Sequence, residues 1–110
     1  MNIADHNPFH INVSIAGDTA TIYLVGRFSF KSHIEFKSVY KNQLANSRIN
    51  RIVVDLADVV YIDSSALGML LMLRDQAQTS NKSLTLSRPS SIAANSFNVA
   101  NFSKLFNISE

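Results

Sequence analysis

Apolar and polar side chains alternate along the first quarter of the chain. Ile11, Val13 and Ile15 keep a period of two, and so do Ala20, Ile22 and Leu24 beyond Ala16-Gly17-Asp18. That pattern predicts a hairpin of strands near 10–16 and 19–25, with Gly26 ending the second. The period then changes. At 100° per residue, Phe30, Ile34, Phe36, Tyr40 and Leu44 share an arc of about 160°. A helix to about Ala45 follows, with Ser29 as its cap and Asn46-Ser47 as its stop.

Arg51-Ile-Val-Val-Asp-Leu56 is short and β-branched, as expected of a strand buried on both faces. Asp58 to Ile62 leads into Asp63-Ser64-Ser65, and a second helix is predicted from about Ser65 to Gln78. Lys82 to Ser87 reads as a strand, and Pro89 opens a third helix over about 90–99. The tail from Asn101 to Ile108 suits either a short strand or a turn of helix. Strands alternating with helices require crossover connections. The expected architecture is therefore α/β, a mixed β-sheet of four to five strands packed against three to four helices. Residues 1–110 read as one domain, with 1–9 a loosely ordered start.

Composition narrows the function classes. At 46% hydrophobic and 16% charged residues, 110 positions suffice for one buried core. There is no cysteine, which fits a reducing compartment and offers no disulfide. Three scattered histidines, His6, His10 and His33, do not make a ligand spacing, so no metal or other cofactor is expected. The polar start lacks a basic or apolar leader, and the longest apolar run, Ala66 to Leu73, is far short of a membrane span. The expectation is a soluble, cytoplasmic chain without direct membrane insertion. Ten lysines and arginines are spread from Arg27 to Lys104 with no dense stripe, so nucleic acid is not an expected partner.

The segment with most chemical content runs from Val59 to Leu73. A strand-like entry stops at Asp63, two serines follow, and a helix starts at once. Asp63 or Ser64 can act simply as an N-cap for the helix's free N–H groups. The same geometry also suits a phosphate, because a hydroxyl at a helix N-terminus is exposed and faces unpaired N–H groups and the positive end of the dipole.

Ile52-Val-Val-Asp-Leu56, Asp63-Ser-Ser-Ala-Leu-Gly68 and the apolar helix behind them resemble the signature of STAS domains. Among these the chain is similar to bacterial anti-sigma factor antagonists of a single-domain Gram-negative subgroup. Gly26-Arg-Phe-Ser-Phe30 and Asn101-Phe-Ser-Lys-Leu-Phe-Asn-Ile108 agree with that likeness. The resemblance implies a STAS fold and Ser64 as the phosphorylated serine, with Asp63 supporting it and Ser65 the runner-up. It implies a switch in which the unphosphorylated form binds an anti-sigma factor or equivalent regulator and frees the sigma factor. A serine kinase and a serine phosphatase, in the family a response-regulator kinase/phosphatase, would set the state. Ser29, Ser65, Ala66, Met69 and Met72 are the expected partner contacts. Two positions depart from the pattern. Ala66 stands where many members have glycine, and Ser29 where many have an acidic residue.

On the second helix Leu67, Leu70, Leu71 and Ala77 point one way, while Ser65, Met69 and Met72 lie within about 60° on another side. Those methionines either fill gaps under a loop or offer an adaptable docking surface. No enzyme is expected. A hydrolase nucleophile elbow needs glycine two residues before the serine, where Ile62 stands. The competing reading is a non-phosphorylated STAS subunit of a membrane lipid or anion transporter.

Overall fold

The hairpin forms as the alternation predicts. In the computed structural model, which describes residues 8–110, β1 (Phe9–Ala16) pairs antiparallel with β2 (Thr19–Phe28) in one unbroken register from Phe9↔Gly26 to Ala16↔Thr19. The two-residue turn places Gly17 at φ 61, a conformation that costs glycine nothing. β1 begins at Phe9, one residue earlier than the pattern suggested. The rest of the expected loose start, residues 1–7 with His6, lies outside the described residues.

Gly26 does not end β2. The strand continues to Phe28, and Gly26 sits at an irregularity of the ladder with φ 95. The partner strand is correspondingly longer than expected. β3 is a single strand, Arg51–Ile62, parallel to β2, whose second half pairs with Val25–Phe28 after register shifts. The shifts break the local alternation, so the expected strand over Arg51–Leu56 and the strand-like entry to Asp63 are one continuous strand.

A 3-10 turn (Phe30–Ser32) leads into α1 (His33–Ala45), and the remaining elements are α2 (Ser64–Thr79), β4 (Ser83–Ser87), α3 (Ser91–Val99), a 3-10 turn (Phe102–Lys104) and β5 (Asn107–Ser109). The tail thus holds both a helical turn and a strand. Strand order is β1-β2-β3-β4-β5, with every pair after the hairpin parallel. Successive right-handed crossovers that advance in one direction lay all three helices on the same face. One core cluster accordingly joins Ile22, Leu24, Ile52, Val54, Leu56 and Leu86 of the sheet to Phe36, Leu70, Leu73, Ala93 and Phe97 of the helices. The other sheet face carries Thr21, Tyr23, Val53 and Thr85, none of them fully buried. Asp55 lies there as well, buried, accepting from the Ala57 N–H at 3.1 Å and from Arg88 Nε at 2.8 Å.

The buried face of α1 is rotated from the predicted one. Phe36, Tyr40 and Gln43 are buried, with Val39 packed beside them, whereas Phe30 and Ile34 are 61% and 73% exposed. The sequence arc takes in Phe30 as if it were helical, but that residue belongs to the preceding turn. Phe36, Tyr40 and Gln43 centre about 70° from the middle of that arc, which leaves Ile34, at its edge, outside. Tyr40 lies against Gln76 of α2, and its burial pushes the phenol's pKa above the ordinary 10.0 despite that polar neighbour.

Candidate functional site

The C-terminal end of β3 delivers the chain to the N-terminus of α2. Asp63, in extended conformation, is the N-cap, and its Oδ1 accepts the Ala66 N–H at 2.8 Å. Both cap candidates from the sequence are thereby resolved: Asp63 caps, and Ser64 is the first helical residue, free of that duty. The N–H groups of Ser64 and Ser65 donate to no protein acceptor among the described residues. Both serine side chains are exposed.

The second oxygen of Asp63 does something the sequence does not reveal. Asp63 Oδ2 accepts the Phe30 N–H at 3.1 Å, tying the β2–α1 loop to the α2 N-terminus. That loop is braced internally. Ser29 Oγ accepts from the Lys31 N–H at 3.3 Å, the Ser29 N–H donates to Ser32 Oγ at 3.3 Å, and Ser32 Oγ donates to the Arg27 carbonyl at 3.1 Å. Phe30 stacks on His33 with ring centroids 4.7 Å apart. Beneath the loop, Phe9, Phe28, Phe36 and Tyr40 form an aromatic column with successive centroids 5.8, 5.0 and 5.2 Å apart.

Beside Asp63 a groove of about 730 Å3 opens, flanked by Arg27, Ser29, Phe30, Lys31, Glu35 and Tyr61. The Arg27 guanidinium lies 3.8 Å above the Tyr61 ring. Nothing in the spacing of Arg27 and Tyr61 announces this pairing, because it depends on the register of β2 against β3.

The expected partner contacts divide. Ser29 lies at the groove and Ser65 is exposed one residue after Ser64. Ala66 is fully buried, so its side chain cannot meet a partner. Its methyl group fills the space where α2 enters the core, which corrects its place among the contacts. Met69 is half-buried and packs on the core, while Met72 is 52% exposed. Only one of the two methionines is therefore available as a docking side chain. The missed candidate is Ile34, whose position at the far edge of a 160°-wide arc was the one available signal. His33 is at the start of α1, its Nδ1 2.8 Å from the Phe30 carbonyl, and His10 is exposed on β1. Neither makes a hydrogen bond with Ser64. No helix among the described residues is long and apolar enough to cross a membrane.

Comparison with known proteins agrees with this arrangement. The family model described as "Mlab, STAS domain" matches residues 11–107. A STAS-domain containing protein of Pseudomonas aeruginosa (strain UCBPP-PA14) is 42% identical over 96 residues, covering 87% of this chain and 93% of that protein. An anti-sigma factor antagonist from Mycobacterium paratuberculosis superposes with a TM-score of 0.84 at 12% identity, over 94% of this chain and 87% of that one. The anti-sigma factor antagonist SpoIIAA, in its unphosphorylated form, gives a TM-score of 0.75 at 14% identity, over 94% and 89% of the two chains. At such identities the structural neighbours share the fold, a mixed five-stranded α/β sheet with three helices. With a family model spanning nearly the whole length and a 42% identical relative that carries the domain name, the chain belongs to the STAS family.

Proposed function

We propose that this protein is a partner-switching regulator of the anti-sigma factor antagonist type, gated by phosphorylation of Ser64. One observation carries the reading. Ser64 is exposed as the first residue of α2 and relieved of capping by Asp63, beside first-turn N–H groups that have no protein acceptor. A phosphate there meets favourable electrostatics in the free protein. In a docked complex the same phosphate brings about −1.5 to −2 charges into a surface prepared for none. An uncompensated charge of that kind costs about 3–5 kcal/mol, or about two to four decades of affinity. That suffices for a switch without refolding. The unphosphorylated form binds an anti-sigma factor or equivalent regulator in the cytoplasm. A serine kinase and a serine phosphatase set the balance, and Ser65 is the alternative acceptor.

The exposed apolar side chains Phe30, Ile34 and Met72 favour a second reading, a STAS subunit held permanently on a membrane lipid or anion transporter. Such a subunit needs no hydroxyl at position 64. The deciding experiment is a pull-down from the native organism with Ser64→Ala and Ser64-phosphorylated baits, with phosphate mapped by fragmentation mass spectrometry. Switching requires that the Ser64→Ala bait retain a regulator which the phosphorylated bait releases. Retention of a transporter component by both baits, or phosphate confined to Ser65, overturns the Ser64 switch.

A further inference from the structure

Granting the docking role proposed above, on which this step rests, we infer that the partner docks on the crest between α1 and α2 through an acidic surface built around an apolar anchor. The placement follows from three observations.

Both helices follow parallel crossovers and so run side by side in the same direction, and Tyr40 against Gln76 marks the flanks they turn toward each other. At 100° per residue, Lys37 and Lys41 lie on the Tyr40 side of α1, and Ser65 and Met72 on the Gln76 side of α2. Ile34 and Met72, 73% and 52% exposed, form the apolar centre.

The charge around that centre is mainly basic. Lys31, Lys37 and Lys41, three of the chain's five lysines, border it and are all exposed. Lys31 sits at the Ser64 end, next to Phe30, whose N–H is held by Asp63. The two helices carry two carboxylates, Glu35 and Asp75. Glu35 lines the groove with Lys31 and is about 120–160° round α1 from Lys37 and Lys41, while Asp75, exposed about 60° round α2 from Met72, is offset by Arg74 at 3.6 Å. The loop adds no acid, since Ser29 is neutral.

A basic rim around exposed apolar side chains is complemented by carboxylates around a small recess. The same charge explains how a phosphate on Ser64 acts at a distance from the anchor. Its charge of about −1.5 to −2 opposes the lysines, so it weakens the attractive field and repels the partner's carboxylates. Three lysines without a lipid anchor fall short of the four to eight that hold a segment on an anionic membrane. An apolar centre is also out of place on a phosphate-tracking stripe.

The test uses the full chain and the protein captured by the Ser64→Ala bait, purified. Lys37→Glu with Lys41→Glu should fold as wild type and bind that protein at least tenfold more weakly, while Lys37→Arg with Lys41→Arg keeps wild-type affinity. Wild-type affinity should also fall at least tenfold between about 50 and 300 mM salt. Undiminished binding by the glutamate variant overturns the acidic-partner inference, even where phosphorylation of Ser64 still releases the partner and switching stands. Conversely, a partner lost on charge reversal yet indifferent to Ser64 phosphate supports the acidic surface and sinks the switch. Binding of wild type, but not of the glutamate variant, to phosphatidylglycerol vesicles, with partner affinity unchanged, assigns the crest to lipid and overturns the inference. A bait that retains no protein overturns both readings.

Discussion

Asp63 accepts the backbone N–H of Phe30 at 3.1 Å, joining residues 33 positions apart, while its other oxygen caps α2. One carboxylate therefore sets both the start of the helix that presents Ser64 and the loop that flanks it. Asp63→Ala should lose cap and tie together, at a cost of about 1–3 kcal/mol. Asp63→Asn keeps one acceptor, so it should be milder and should loosen the loop without undoing the cap. Urea unfolding reads the first effect. Amide exchange at Phe30, faster in both variants, reads the second.

Ser64→Asp separates stability from affinity. A single negative charge at the α2 N-terminus adds about 0.3–1 kcal/mol through the dipole, so the free protein should melt no lower than wild type. Its complex should weaken, because the new charge is desolvated on docking. Calorimetry with and without partner shows both. Affinity equal to that of wild type in both the Ser64→Asp and the Ser64-phosphorylated protein removes Ser64 from control of binding.

Gly26 and Gly17 both adopt positive φ, yet they should respond differently to alanine. A Cβ at Gly26 would stand 2.0 Å from the Pro8 carbonyl oxygen, whereas one at Gly17 meets nothing within 4 Å. Gly17→Ala should cost about 1 kcal/mol, the conformational share alone. Gly26→Ala adds a backbone clash and should cost clearly more, by about 1–3 kcal/mol. Thermal melts of the two variants side by side check the order.

Tyr40 predicts an alkaline weakness. Burial raises its pKa in the folded state, so the unfolded chain releases the proton first, near pH 10.0. The folded state then binds more protons than the unfolded one, and stability falls as pH rises. This contribution is fully present below about pH 10 and is lost above it. Tyr40→Phe should flatten the decline between pH 8 and about pH 11 in urea unfolding, with little change at pH 7.

Much of this protein is written locally. The hairpin turn at Gly17, the order of strands and helices, and the serines behind Asp63 all follow from periodicity and from capping preferences, because those depend on neighbours within a few residues. The Asp63-Ser64-Ser65 motif is local in the same sense, which is why the candidate phosphosite is visible in the bare sequence.

What the tertiary structure decided involves residues distant along the chain. The ladder between β2 and β3 carries β2 past Gly26 and extends β3 to Ile62, since a bulge breaks the alternation that marks a strand. The sheet on one side, and α2 on the other, chose which flank of α1 is buried, so Gln43 goes inside while Ile34 stays out. Ala66 is drawn into the core because the N-terminus of α2 lies directly over it. Phe30 meets Asp63 only once the β2–β3 register is set. Helical period measures angles around a single axis, and burial depends on where other elements stop covering that axis.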